Sequence, residues 1–133
     1  MTGILLDTSA YSAFMKGHPE VKSALQQAAA IYLNPVVLGE LRAGFIKGGR
    51  QRKNERELEF FLSSPRVSVL PLDEGTSDRY ATIINALWTA GTPVPTNDVW
   101  IAASAAQHGL RILTLDAHYE RIPHVTADLV RPA

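Results

Sequence analysis

The sequence predicts an α/β fold, a central parallel sheet of four to five strands flanked by helices. Three observations carry this. Short apolar runs rich in Ile, Leu and Val alternate with longer stretches of helical period, the pattern of strand–helix–strand units with right-handed crossovers. The chain has 133 residues, the ordinary size of one compact domain, so residues 1–133 are expected to form a single unit. No repeat, low-complexity segment or linker interrupts the alternation.

The elements follow in order. Ile4-Leu5-Leu6 is a buried strand leading into Asp7. Thr8 or Ser9 is placed to cap a helix through about Met15, stopped by Gly17. Pro19 opens a second helix, with Val21, Leu25 and Ala28/Ala29 at helical spacing. Ile31 to Leu33 is a second strand, and Asn34-Pro35 is a cap and first helical residue for a helix to about Lys47. Gly48-Gly49 breaks it. Residues 51–63 form the next helix, with Leu58, Phe61 and Leu62 inward. Val67 to Leu72 is the third strand, and a long helix runs from Asp73 or Glu74 to about Ala90. After a loop at Thr92–Pro95, Asn97 is expected to cap a helix to His108, ended by Gly109. Arg111 to Leu115 is a fourth strand ending at Asp116, with a further short strand near Val125. Asp7 and Asp116 thus lie at carboxyl ends of parallel strands, where such sheets bind ligands.

Composition narrows the function. With no cysteine, disulfide scaffolds, zinc ribbons and thiol nucleophiles are excluded. The longest unbroken apolar run, Ala28 to Leu33, is six residues, far below the ~20 that cross a bilayer. No basic residue precedes Lys16, unlike a secretory leader, so a soluble, cytoplasmic protein is expected, with no membrane contact. Thirteen basic and thirteen acidic residues cancel, which argues against binding nucleic acid by bulk charge. Locally the balance differs: Arg42, Lys47, Arg50, Arg52, Lys53 and Arg56 face only Glu55. That segment is either a phosphate-binding surface or a solvated helix and loop.

The acids sort by whether a local cation accompanies them. Glu20, Glu55, Glu57 and Glu59 each have a Lys or Arg three or four residues away, the spacing of a helical surface pair. Glu40 has Val36, Val37, Ala43 and Gly44 as neighbours; Asp98 has Val94, Pro95, Ile101 and Ala102. Asp7 and Asp116 follow apolar strands. Four carboxylates therefore sit at the edge of apolar elements unneutralised. Three have a plainer reading alone, since Asp98 gains ~0.3–1 kcal/mol from a helix dipole and Asp7 or Asp116 fits a turn, whereas Glu40 in mid-helix on an apolar face is the hardest to explain that way. Together they call for a distant Arg, a raised pKa or a divalent cation. Oxygen ligands without cysteine or paired histidines favour Mg²⁺ or Mn²⁺ over zinc. Such a cation orients and polarises a phosphate and activates water.

Three runs, ILLDTSAYSAF (residues 4–14), PVVLGELRAG (35–44) and NDVWIAASAAQHGLRILTLDAHYERI (97–122), occur in the order and spacing of the PIN-domain ribonucleases. The chain resembles in particular the VapC-type toxins of toxin–antitoxin pairs. The resemblance implies one PIN-like domain in which Asp7, Glu40, Asp98 and Asp116 form an acidic quartet around Mg²⁺ or Mn²⁺. Asp7 and Asp98 are expected as direct ligands, Asp116 completes the site, and Glu40 ligates or acts through water. Ser9, Asn97 and Thr114 match the family's polar companions. Asn34 departs from the Ser that many relatives carry there, but both residues cap helices. The resemblance further implies a homodimer, an endoribonuclease acting on tRNA or ribosomal RNA, and a protein antitoxin that silences it. Arg42, Lys47, Arg50, Arg52 and Lys53 are then the candidate RNA contacts.

Other readings compete. A metal-dependent phosphatase or a phospho-acceptor domain would use Asp7 covalently. Such phosphatases want a second acid two residues later, where Ser9 stands, and a receiver-type acceptor wants a later Lys, whereas none follows Lys53. His18, His108, His118 and His124 show no metal-ligand spacing with one another, and His118 is expected at the surface. Trp88 and Trp100 are expected in the core or an interface.

Overall fold

The computed structural model describes residues 3–133. It contains β1 (Ile4–Leu6), α1 (Thr8–Met15), α2 (Pro19–Gln27), β2 (Ile31–Leu33), α3 (Pro35–Lys47), α4 (Gln51–Leu62), β3 (Val67–Val69), α5 (Glu74–Ala90), α6 (Thr96–His108), β4 (Arg111–Thr114), a 3₁₀ turn (Ala117–Arg121) and β5 (Ala127–Leu129). The five strands form one parallel sheet in the order β3-β2-β1-β4-β5. The chain builds outward from β1 through β2 to β3, then returns across the sheet to lay β4 on the other side of β1. This reversal opens a crevice beyond the carboxyl ends of β1 and β4, the usual ligand position in an open parallel sheet.

Burial follows from the residues. Ile4, Leu5 and Leu6 are covered on both faces, as a central parallel strand requires. In α6, Val99 and Ile101 to Ala105 are all buried. The Thr76 hydroxyl on α5 donates to Gln107 Oε1 on α6 at 2.6 Å. Gly109 ends α6 at φ +65°, a left-handed conformation that glycine adopts at little cost. No helix among the described residues is long and apolar enough to cross a membrane.

Several boundaries differ from expectation, each for a local reason. The cap of α1 is Asp7, whose Oδ1 accepts from the Ala10 amide at 2.8 Å, leaving the Thr8 and Ser9 hydroxyls free for other partners. Asn97 does not cap α6: the helix starts at Thr96, and the carbonyl of Pro95 takes the amides of Asp98 and Val99. The third strand stops at Val69, the fourth at Thr114, and the last lies at 127–129 rather than at Val125. Trp88 is 71% exposed, so it is not core, whereas Trp100 is partly buried and stacks on Tyr80 with ring centroids 4.0 Å apart. Phe14, Leu25, Phe60 and Phe61 line an apolar groove of about 1010 Å³ rimmed by Lys22, Lys53 and Arg56.

Asn34 does more than its expected capping. It is fully buried; its Oδ1 accepts from Val37 N at 3.1 Å, and its Nδ2 donates to Ser104 Oγ on α6 at 2.9 Å. One side chain thereby starts α3 and ties it to α6. Asn34→Ala should lose the cap, ~1 kcal/mol, and a buried hydrogen bond worth ~1–3 kcal/mol, about 2–4 kcal/mol together by urea unfolding. Asn34→Ser should recover the cap alone and fall between the two. Equal losses in both variants would show that the cap contributes nothing.

Candidate active site

The four acids of the sequence analysis converge on the crevice between β1 and β4. Asp7, Glu40, Asp98 and Asp116 line one cleft of about 310 Å³, with Thr8, Ser9, Ser12 and Tyr119. They come from four different elements: Asp7 from the end of β1, Glu40 from α3, Asp98 from the first turn of α6, and Asp116 from just beyond β4.

Asp7 is the deepest, 4% exposed. Its Oδ1 takes the Ala10 amide, Ser9 Oγ donates to the carboxylate from 2.8 Å, and Thr114 Oγ1 donates to Oδ2 at 2.5 Å. Both hydroxyls are themselves aimed, since Leu115 N donates to Ser9 Oγ at 3.0 Å and Asp116 N to Thr114 Oγ1 at 2.9 Å. With those oxygens receiving amides, their protons are left for Asp7. Glu40 is held at both oxygens, by Thr8 Oγ1 at 2.5 Å and Asn97 Nδ2 at 3.0 Å. The expected companions Ser9, Asn97 and Thr114 therefore all bind a site carboxylate.

Asp98 lies in a helical first turn yet does not cap it. Its Oδ1 accepts from Tyr119 Oη and its Oδ2 faces His118 Nδ1, each at 3.3 Å. Asp116 Oδ1 accepts the backbone N–H of His118 at 2.9 Å and lies 3.1 Å from the same ring nitrogen. The expectation of a surface His118 is corrected: its ring is partly exposed but reaches two of the four acids. Sequence reasoning missed His118 and Tyr119 because histidines were compared with one another. The usable signal was His118 two residues after a strand-end acid. Thr8, expected only as a cap, was a further omission.

The electrostatics explain why a cation fits. Among the described residues no Lys or Arg pairs with any of the four acids; their ion pairs are Arg42–Glu55, Lys53–Glu57 and Arg111–Asp128. Burial raises the Asp7 carboxyl above its ordinary value, opposed by its hydrogen bonds, and Asp98 nearby adds to the rise. Burial also raises Asp98, with Asp116 adding and His118 and Tyr119 opposing. Both acids bind protons more tightly in this cleft than in water, as carboxylates lacking a counter-charge do. Asp98, Asp116 and His118 each offer a ligand atom, all within 4.8 Å of one another. This oxygen-rich set with one imidazole suits Mg²⁺ or Mn²⁺.

The basic segment lies apart from this cleft. Arg42 and Lys47 are on α3, Arg50 precedes α4, and Arg52 and Lys53 are on it; none lines the acidic cleft. Arg42 is bonded through two nitrogens to Glu55, and Lys53 to Glu57 at 3.2 Å. Lys47, Arg50 and Arg52 are exposed.

The chain is similar to proteins already known. The sequence pattern of the PIN domain matches residues 4–125. Ribonuclease VapC4 of Mycobacterium tuberculosis is 39% identical over 90 residues, 68% of this chain and 69% of that protein. Toxin FitB of Neisseria gonorrhoeae is 31% identical over 121 residues, 85% of this chain and 87% of its own. Among solved structures, the DNA-bound VapBC of Salmonella typhimurium superimposes with a TM-score of 0.85 at 26% identity, covering 96% of this chain and 98% of that one. A domain pattern spanning nearly the whole chain, together with relatives of this identity, places the protein in the PIN-domain family, among its VapC-type ribonucleases.

Proposed function

We propose that the protein is a Mg²⁺- or Mn²⁺-dependent endoribonuclease, the toxin of a type II toxin–antitoxin pair, acting in the cytoplasm on structured RNA such as tRNA or ribosomal RNA. The observation that carries this is one cleft lined by Asp7, Glu40, Asp98 and Asp116, with no Lys or Arg among the described residues neutralising them. Asp98 and Asp116, with Asp7 and Glu40 beside them, would hold a divalent cation, which when bound would supply positive charge for a phosphodiester and make water easier to deprotonate. The chain does the rest. Ser9 and Thr114 fix Asp7, and Thr8 and Asn97 hold Glu40 where it can take the proton of the attacking water. Water adds to phosphorus, the bond to the 3′ oxygen breaks, and the products are a 5′-phosphate and a 3′-hydroxyl. A nucleophilic Asp7 fits less well, because that carboxylate is buried and engaged by three donors.

Unpaired RNA loops are the natural substrate, since their bases and backbone are accessible. Lys47, Arg50 and Arg52, all exposed, are the side chains assigned to hold the backbone in this reading, with Arg42 and Lys53 partly committed to Glu55 and Glu57. A solved relative from Mycobacterium tuberculosis is a member of the VapBC family of toxin–antitoxin systems, and a protein antitoxin for this chain is the corresponding reading. An Arg inserted into the cleft by such a partner matches four carboxylates in charge and planar geometry. A homodimer is the matching assembly, and the exposed Trp88 on α5 is a side chain that such an interface can cover.

Three measurements test this reading. With Mn²⁺ present, the purified protein should cut RNA at discrete sites bearing new 5′-phosphate ends, and Asp98→Asn should abolish the cuts while remaining folded. Asp7→Asn should also be inactive, with some loss of stability, because its amide must face the Thr114 or Ser9 hydroxyl that the carboxylate accepts. Full cleavage by both variants would remove the acids from catalysis.

Arg50→Glu with Arg52→Glu should weaken RNA binding and flatten the dependence of log K on log salt by up to about two phosphate contacts. An unchanged slope would make the segment a solvated face.

Melting curves with and without Mn²⁺ separate a metal site from a set of capping acids. At a hundredfold excess over its Kd the ion should add ~2.7 kcal/mol, roughly 8–15 °C for a domain of this size. Asp98→Asn should melt higher than wild type without metal, because a carboxyl raised above its ordinary 3.8 opposes folding once it ionises. That gain is full at neutral pH and vanishes as the pH falls below 3.8. The Mn²⁺ shift should shrink in the same variant. A less stable Asp98→Asn protein with an undiminished shift would make Asp98 a purely structural acid.

A further inference from the structure

We propose that His118 Nδ1 is itself a ligand of the cation at Asp98 and Asp116, and that this nitrogen tilts the site toward Mn²⁺ over Mg²⁺. The inference rests on the metal-dependent reading above and adds to it a ligand and a metal preference.

The local geometry delivers the ring to the acids. Asp116 caps the 3₁₀ turn that follows β4, and its Oδ1 accepts the amide of His118, which folds residue 118 back over the carboxylate. Nδ1 then lies 3.1 Å from Asp116 Oδ1 and 3.3 Å from Asp98 Oδ2. Only the longer contact has the geometry of a hydrogen bond. An imidazole nitrogen carries one hydrogen or one lone pair, so it cannot serve two carboxylate oxygens at once. The contact to Asp116 therefore sets a nitrogen against a carboxylate oxygen with no hydrogen aimed between them.

A cation shared by all three atoms resolves this. Adjacent ligands of an octahedral ion with bonds of about 2.1 Å are separated by roughly 3 Å, close to both contacts observed. Asp98 already gives Oδ1 to the Tyr119 hydroxyl, which leaves Oδ2 turned to the shared centre. Ligation through Nδ1 requires the ring proton on Nε2, and the ring is 42% exposed, so that N–H can be solvated. Mg²⁺ prefers oxygen and water and gains little from an imidazole, whereas Mn²⁺ takes the same carboxylates and also accepts an imidazole nitrogen, although it is the weakest binder of the first-row series.

The test reads the ion. Mn²⁺ bound to the wild-type protein should show a ¹⁴N coupling in pulsed electron paramagnetic resonance. The coupling should disappear in His118→Ala and persist in His108→Ala, whose imidazole is at the opposite end of α6 from Asp98. By calorimetry, His118→Ala should weaken Mn²⁺ binding about tenfold or more, with Mg²⁺ binding changed less than about threefold. Mn²⁺ bound to wild type without nitrogen coupling would overturn the proposal and leave metal dependence intact. Tighter Mn²⁺ binding in His118→Ala would overturn it too, because the ring would then be a protonated stand-in for the ion. Failure of both ions to bind would overturn this proposal and the metal-dependent reading together.

Discussion

A carboxylate at 4% exposure has to be met by hydrogen-bond donors, and the way Asp7 is met organises this molecule. Its donors are an amide of α1, the hydroxyl of Ser9 and the hydroxyl of Thr114 at the end of β4. Those two hydroxyls accept amides from Leu115 and Asp116. Central strand, first helix and the chain leaving β4 are thereby joined through one side chain. The same bonds aim Asp116 and start the turn that carries His118 and Tyr119 to Asp98. A group that serves as a helix cap in one description and as a site acid in another is one group with both duties.

The donors around the quartet share a property. Amides, hydroxyls and the Asn97 carboxamide orient Asp7 and Glu40 without cancelling their charge. An arginine in the same places would fix the geometry equally well and neutralise the site. By using dipoles, the fold keeps four carboxylates in position and leaves their negative charge uncompensated. The raised carboxyls of Asp7 and Asp98 are the thermodynamic trace of that choice. His118 is the one basic side chain paired with the quartet among the described residues.

The positive groups are kept elsewhere. Arg42 reaches Glu55 across the turn between α3 and α4, and Lys53 pairs with Glu57 one helical turn on. These exposed pairs contribute little stability, but they keep two cations from the acidic cleft. The uncommitted Lys47, Arg50 and Arg52 stand at the α3–α4 junction, so opposite charges occupy separate surfaces of a chain whose net charge is zero. Under the proposed ribonuclease function, the separation would let basic side chains meet phosphates and leave the acids for an ion.

The sequence by itself determined what local spacing governs. Apolar runs and their flanking caps placed all the strands and helices within a few residues. Asp7, Glu40, Asp98 and Asp116 stand beside apolar runs with no cation three or four positions away, and although Asp73, Glu74 and Asp78 share that lack, of these only the first four also fall in the three family-like runs. Contacts that depend on which segments lie side by side were decided only by the tertiary structure. Asn97 turned from an expected cap to a partner of Glu40 once Pro95 began the helix earlier. Arg42 found Glu55 thirteen positions away, across a helix–helix turn that no helical spacing describes. His118 and Tyr119 joined the site through the 3₁₀ turn after β4, and Asp7 met Thr114 because the sheet sets β4 against β1. Strand order is fixed by packing between distant segments, so the residues that meet at adjacent strand ends are legible one by one in the sequence but come together only in the folded chain.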